Sequence, residues 1–341
     1  MNRKEFLFSS SSIIAAANLP ASIHATNEDD TAPHIIPAYL KKGDVIGITA
    51  WAGYITLQEI QSAMQSIERW GYNVRVGETI GKRDFTFGGT DDERTADFQK
   101  MLDDPSIKAI LCARGGYGSI RIVDRLKWRK FLQKPKWIIG FSDLTVIHSF
   151  VNRQFGIASI HSKMCNSFPD DWSTAEPEQI EAIESINKAL RGEKMSYIVP
   201  VNANNRSGIA EGKLVGGNLK TLETMSATAS DLITANKILF VEDTGEYMYS
   251  IDRMFWNLKR TGKLSNLKGL IIGGFKVKTD ADTEDFGRTL EQVVLEKIQQ
   301  YQYPVCFDFP VGHQKNNFAL KCGVKHRLEI NTETCRLTEL R

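Results

Sequence analysis

Short apolar runs alternate with amphipathic stretches over the first half of the chain. Val45–Thr49 reads as a buried strand, and Asn73–Val76, Ile107–Cys112, 137–139 and 157–160 read as further strands. Residues 57–70 carry Ile60, Met64 and Ile67 at helical spacing and stop at Gly71. Residues 90–102 form a helix with an acidic start and an apolar face of Phe98, Met101 and Leu102, and 119–126 and 144–151 read as two more. Strands alternating in this way with helices predict a mainly parallel sheet wound on both faces. Ligands bind such sheets outside the carboxyl ends of the strands, where the glycine turn at 114–118 and Ser142 both fall.

The rhythm then changes. A helix over 178–190 leads away from this unit, and the asparagine-rich stretch 202–207 reads as a linker. Beyond it, 219–225, 251–258 and 290–298 look helical, while 238–241, 270–272, 305–307 and segments near Leu320 and Leu328 look like strands. The prediction is an α/β protein of two domains, 35–195 and 207–341, the second smaller and strand-rich towards its end.

Composition narrows the function classes. The 341 residues suffice for two domains, and 42% hydrophobic with 25% charged residues is the balance of a soluble globular protein. A net charge of +2 without any block of lysine and arginine argues against a nucleic-acid partner. The five cysteines are widely spaced with no CxxC pair, and H-E-x-x-H is absent, so neither a zinc knuckle nor a metallopeptidase site is indicated. Cys112 and Cys306 sit in apolar runs and read as small core residues. The first thirty residues stand apart: Arg3 and Lys4 precede Phe6 and Leu7, a serine run, the apolar 13–17 and the small residues Ala21 and Ala25. This reads as an export signal and leader over 1–30, too short to hold a membrane, and predicts a periplasmic protein. The Arg-Lys-x-Phe-Leu order resembles a twin-arginine signal with lysine second; a Sec-type leader, or a disordered one leaving the protein cytoplasmic, is the alternative. No later stretch predicts a stable membrane span.

Three short segments carry candidate chemistry. Gly140-Phe141-Ser142-Asp143 follows a strand and precedes a helix, the setting of a nucleophile elbow, although Leu144 stands where G-x-S-x-G needs glycine. The plainer reading is that Ser142 or Asp143 caps the helix. Glu242 leaves the run 238–241, where a carboxylate orients an imidazole or is a surface charge. His313, in Pro310-Val311-Gly312-His313, lies in a loop after an apolar strand and is free to reach a serine. A serine, a carboxylate and a histidine are the parts that make a hydroxyl nucleophilic at neutral pH. Arg114-Gly115-Gly116-Tyr117-Gly118 frees backbone amides towards an anion or is simply a tight turn; it matches neither nucleotide-loop pattern. Of the other histidines, His161 closes a strand on the same rim, whereas His148 reads as packing or surface.

Taken together, these segments resemble the LD-carboxypeptidases, a family of serine peptidases also called muramoyltetrapeptide carboxypeptidases. The resemblance runs over about 38–330 through the segments just named and through Gly216-Gly217-Asn218-Leu219, Ile251-Asp252-Arg253-Met254 and Asn317. It implies Ser142 as nucleophile, His313 as general base, Glu242 as its orienting acid, and the amides of Gly116 and Asp143 as an oxyanion hole. It also implies a flavodoxin-like N-terminal domain, a swivelling β/β/α C-terminal domain, a homodimer, a murein peptide substrate and no cofactor. The sequence departs from the family at 50–53, where Trp51 stands, at 161–164, where Lys163 stands, and at 227–228, and it places Trp51 and Lys163 at the border of the cleft. Two other readings are open. One is a microcin-immunity-type hydrolase of a peptidyl-nucleotide, with Trp172 as a base-stacking aromatic; the other is a non-catalytic periplasmic binding protein.

Overall fold

The computed structural model describes residues 34–279 and 286–340. The leader predicted over 1–30 lies outside the described residues. Two sheets organise the rest. The first half supplies β1 (Val45–Thr49), β2 (Asn73–Val76), β3 (Ile107–Cys112), β4 (Trp137–Gly140) and β5 (Ser159–His161), all mutually parallel in the order β2-β1-β3-β4-β5. This is the flavodoxin order. Helices pack on the sheet: α1 (Gln61–Arg69), α2 (Asp91–Asp103), α3 (Ser119–Ile122), α4 (Arg129–Gln133), α5 (Thr145–Phe155) and α6 (Pro177–Leu190). The acidic start of α2 is a capping box, in which Thr90 accepts from the Glu93 amide and Glu93 reaches back to the Thr90 amide. The helix predicted over 119–126 is only one α-turn followed by a 3₁₀ turn at Val123–Arg125.

The second sheet holds β6 (Ser196–Val199), β7 (Gly208–Asn218), β8 (Ile238–Glu246), β9 (Gly269–Val277), β10 (Val305–Cys306), β12 (Lys325–Ile330) and β13 (Cys335–Glu339), in the order β10-β9-β8-β7-β12-β13-β6. Strands β7 to β10 are parallel, and α7 (Leu219–Thr224), α8 (Met248–Arg260) and α9 (Leu290–Lys297) accompany them; β12, β13 and β6 extend the sheet antiparallel. Strand β11 (Leu320–Cys322) crosses back and pairs antiparallel with β5, so the first sheet takes its sixth strand from the far end of the chain. The chain therefore does not divide between the sheets at a single point. The stretch 202–207 is a turn whose Arg206 bridges Val305 by hydrogen bonds in both directions.

Burial follows the alternating pattern. Ile46, Ile48, Ile110, Ile139 and Ile160 fill the first sheet, and Leu214, Phe240, Ile271 and Leu328 the second. All five cysteines are free thiols in the interior. No helix among the described residues is long and apolar enough to cross a membrane.

Candidate active site

Strand β4 ends at Gly140, whose φ of +149° suits glycine and whose absent side chain leaves room for Leu144 and Cys112, which a Cβ would meet at 2.6 and 3.0 Å. Ser142 follows with φ +63°, a left-handed conformation that a serine adopts at a cost of about 1 kcal/mol or more. That turn opens a 3₁₀ segment, Ser142–Leu144, which runs into α5, so the hydroxyl stands clear of the strand end.

Glu242 lies on β8 at a register shift between β8 and β9 and is fully buried. Glycines make its space. A Cβ on Gly312 would sit 2.5 Å from the Glu242 Cβ, and one on Gly273 would sit 3.2 Å away. Gly312 is fixed by a parallel bridge to Gly274 and by its N–H donating to Asn317 Oδ1 at 2.8 Å. The next residue is His313. Its Nδ1–H donates to Glu242 Oε2 at 2.6 Å, and its Nε2 stands 3.2 Å from Ser142 Oγ, placed to accept the hydroxyl proton. The ring packs 4.8 Å from that of Phe141. Three residues separated by up to 171 positions thus form one hydrogen-bonded line. The second oxygen of Glu242 has no hydrogen-bond partner among the described residues.

A cleft of about 280 Å³ opens at Ser142, lined among others by Gly116, Tyr117, Asp143, Asn218 and Asp243. Gly115 packs beside the serine: its Cβ would lie 3.4 Å from that of Ser142. Gly116, with φ +104°, continues the turn. The Asp143 side chain accepts the Ser119 N–H at 2.8 Å, capping α3; burial raises its pKa against the opposing pull of hydrogen bonds from Ser119 and Gly118. Asp243 plays the same part for α7. It accepts from Lys220 N at 2.8 Å and Thr244 N at 2.7 Å, and burial, with the Glu242 charge adding to it, pushes its pKa up to about 6.

Three further residues hold this site together, His148 among them as a packing residue. Arg94, on the polar helix α2, is fully buried and clamps the glycine turn from below, donating to Trp51 O at 2.6 Å and Gly118 O at 3.1 Å. Gly118 has to be glycine for this, since a Cβ there would sit 2.5 Å from the guanidinium. Thr145 ties the two halves together: its Oγ1 accepts the Asn218 N–H at 3.0 Å, and Gly217 lets it approach. His148 is fully enclosed and braces the strand end before Ser142, with Nε2–H donating to Gly140 O at 2.9 Å.

Other expectations need correction. Trp51 does not border the cleft. It is fully buried and stacks on Phe98 with ring centroids 4.3 Å apart, because the apolar face of α2 covers it. Trp172 is not presented to a ligand either: its Nε1–H donates to Ser62 Oγ at 3.1 Å and Arg69 covers its ring. His161, by contrast, lies on the same rim as expected, one ring removed from His313 through Phe141. It packs edge-on between Phe141 and Phe240, and burial holds its pKa well below the ordinary value.

Family models for the LD-carboxypeptidase N-terminal domain and the LD-carboxypeptidase C-terminal domain match residues 46–162 and 211–328. The chain belongs to the LD-carboxypeptidase family. Its relatives include a probable murein peptide carboxypeptidase of Bacillus subtilis, 30% identical over 87% of this chain and 92% of the relative. The microcin C7 self-immunity protein MccF of Escherichia coli is 26% identical over 89% of this chain and 96% of that protein. Among solved structures, a muramoyltetrapeptide carboxypeptidase from Oxalobacter formigenes superposes with a TM-score of 0.76 at 26% identity, covering 87% of this chain and 99% of that one. The LD-carboxypeptidase fold is thus present over both sheets.

Proposed function

We propose that this LD-carboxypeptidase hydrolyses the bond between an L-configured centre and a terminal D-amino acid, releasing D-alanine from murein tetrapeptides. The observation that carries the reading is the line from Ser142 Oγ through the His313 ring to Glu242, with 3.2 and 2.6 Å between its members. In this reading His313 Nε2 takes the hydroxyl proton as Ser142 attacks the carbonyl carbon. Glu242 fixes the tautomer that leaves Nε2 unprotonated and stabilises the imidazolium that forms. The amides of Gly116 and Asp143 receive the oxyanion, each such donor contributing about 3 kcal/mol. The imidazolium then gives its proton to the departing amine, and water attacks the acyl-enzyme by the same route in reverse. A binding protein without chemistry has no use for a serine held in a left-handed turn against a histidine, which disfavours that alternative. Packing of Trp172 against Ser62 and Arg69 removes the one aromatic that favoured a peptidyl-nucleotide.

The leader supports export to the periplasm as part of the same proposal, and N-terminal sequencing of the mature protein tests it. The enzymatic test is mass spectrometry of defined muropeptides. Wild-type protein is expected to convert tetrapeptide to tripeptide, and Ser142→Ala to lower turnover by about 10⁶, as in other serine triads. Intact tetrapeptide alongside cleaved peptidyl-nucleotide would overturn the substrate assignment. Undiminished release by Ser142→Ala would overturn the mechanism.

A further inference from the structure

Four lysines are buried among the described residues, and one has no local explanation. Lys297 pairs with Asp252, and Lys321 with Glu339. Lys136 donates to two carbonyls, Met101 O at 2.9 Å and Asp104 O at 2.6 Å. Lys163, only 6% exposed, makes one long bond of 3.3 Å to a main-chain carbonyl. Its electrostatic neighbour is another cation, Lys276, and burial and that charge together bring its pKa down to about 8. A buried ammonium is normally paired, because desolvation is otherwise uncompensated. Among the described residues, no anion compensates Lys163.

The position of Lys163 says which anion would. The carbonyl that Lys163 touches belongs to Gln314, the residue after His313. The cleft lined by Gly116, Asp143, Asn218 and Asp243 does not include Lys163. If the acyl part of the substrate fills that cleft, the departing amine must reach His313 Nε2 to receive its proton, so the terminal residue lies on the His313 side. The carboxylate of an amino acid is only about 3 Å from its own nitrogen. An anion is therefore delivered to the neighbourhood of His313 with every substrate that ends in a free carboxyl group.

We propose that Lys163 binds the terminal carboxylate of the peptide and so makes the enzyme an exopeptidase. The inference rests on the function proposed above. Lys276 strengthens the positive field there, and the Gln314 carbonyl holds the ammonium in place between substrates.

The test compares a murein tetrapeptide ending in D-alanine with the same peptide ending in D-alaninamide. Wild type, Lys163→Met and Lys163→Arg are assayed, with labelling of Ser142 by a fluorophosphonate as the measure of an intact triad. Lys163→Met is expected to raise KM for the free acid by about 10- to 100-fold, to leave the amide unchanged, and to label at the wild-type rate. Lys163→Arg is expected to recover part of the preference. An unchanged acid-to-amide preference in Lys163→Met overturns the inference while leaving the hydrolase reading intact. An equal loss of kcat on both substrates with slowed labelling also overturns it, and makes Lys163 a support of the 312–314 loop. Failure of wild type on both peptides overturns the hydrolase reading and this inference with it.

Discussion

Glu242→Gln separates catalysis from stability. The side chains are isosteric, so the packing of Gly312 and Gly273 over the Cβ survives the change. What disappears is a negative charge 2.6 Å from His313 Nδ1. Without it the imidazolium that forms on proton transfer loses its counter-charge, and a carboxamide N–H facing Nδ1 selects the tautomer whose Nε2 already carries a proton. The equivalent change in another serine triad lowers kcat by about 10⁴, which corresponds to about 5.5 kcal/mol of barrier. Folding moves the other way. Glu242 is fully buried and one of its oxygens has no partner among the described residues, so the folded protein bears the desolvation of an incompletely satisfied anion. Neutralising it is expected to leave the melting temperature unchanged or higher. The assay pairs steady-state release of D-alanine with thermal unfolding of the same preparation. Turnover within tenfold of wild type, or a melting temperature that falls in step with activity, would refute the reasoning.

Other perturbations probe other links. Gly312→Ala places a methyl 2.5 Å from the Glu242 Cβ at φ +105°, and is expected to lower both kcat and melting temperature; a fully active, equally stable variant would show that the loop yields freely. Arg94→Met leaves the Trp51 and Gly118 carbonyls unpaired in the interior and is expected to cost about 3 kcal/mol of stability, read from urea titration; a loss below 1 kcal/mol contradicts the clamp. His148 has its pKa lowered to about 4 by burial, so the native state binds its proton less readily than the unfolded chain. The stability it contributes is fully present above pH 6.5 and lost as pH falls through about 4. His148→Gln should therefore flatten the fall in melting temperature across that window, and a slope identical to wild type would exclude the assignment. Asp243, raised to about 6, acts in the opposite sense in both proteins and cancels in the comparison.

The parts of the molecule legible in its sequence are those set by local pattern. Strands β1 and β3 declare themselves as apolar runs closed by polar or glycine-bearing turns, and the helix start at Thr90 by its capping box. The glycine before Ser142 and the one before His313 were visible because tight turns need them. Strand β7 was missed. Glycines at 208, 212, 216 and 217 dilute its β signal, and it owes its existence to β8 and β12 on either side. Arg94 carries no local signal of its role, since nothing in a polar helix says that three carbonyls wait beneath it. Trp51 was expected at the cleft because the segment around it departs from the family pattern, whereas volume and the apolar face of α2 decided its place. Pairings between distant segments, such as Thr145 with Asn218, leave no trace in hydrophobic period.

Strand β11 has a bearing on how the molecule comes into being. Residues 320–322 complete the sheet that bears Ser142, and His313 precedes them by only a few positions. During synthesis, the earlier half waits with the edge of β5 open and its serine without a proton acceptor. That edge closes, and the proton acceptor is in place, only once the segment up to residue 322 has been made.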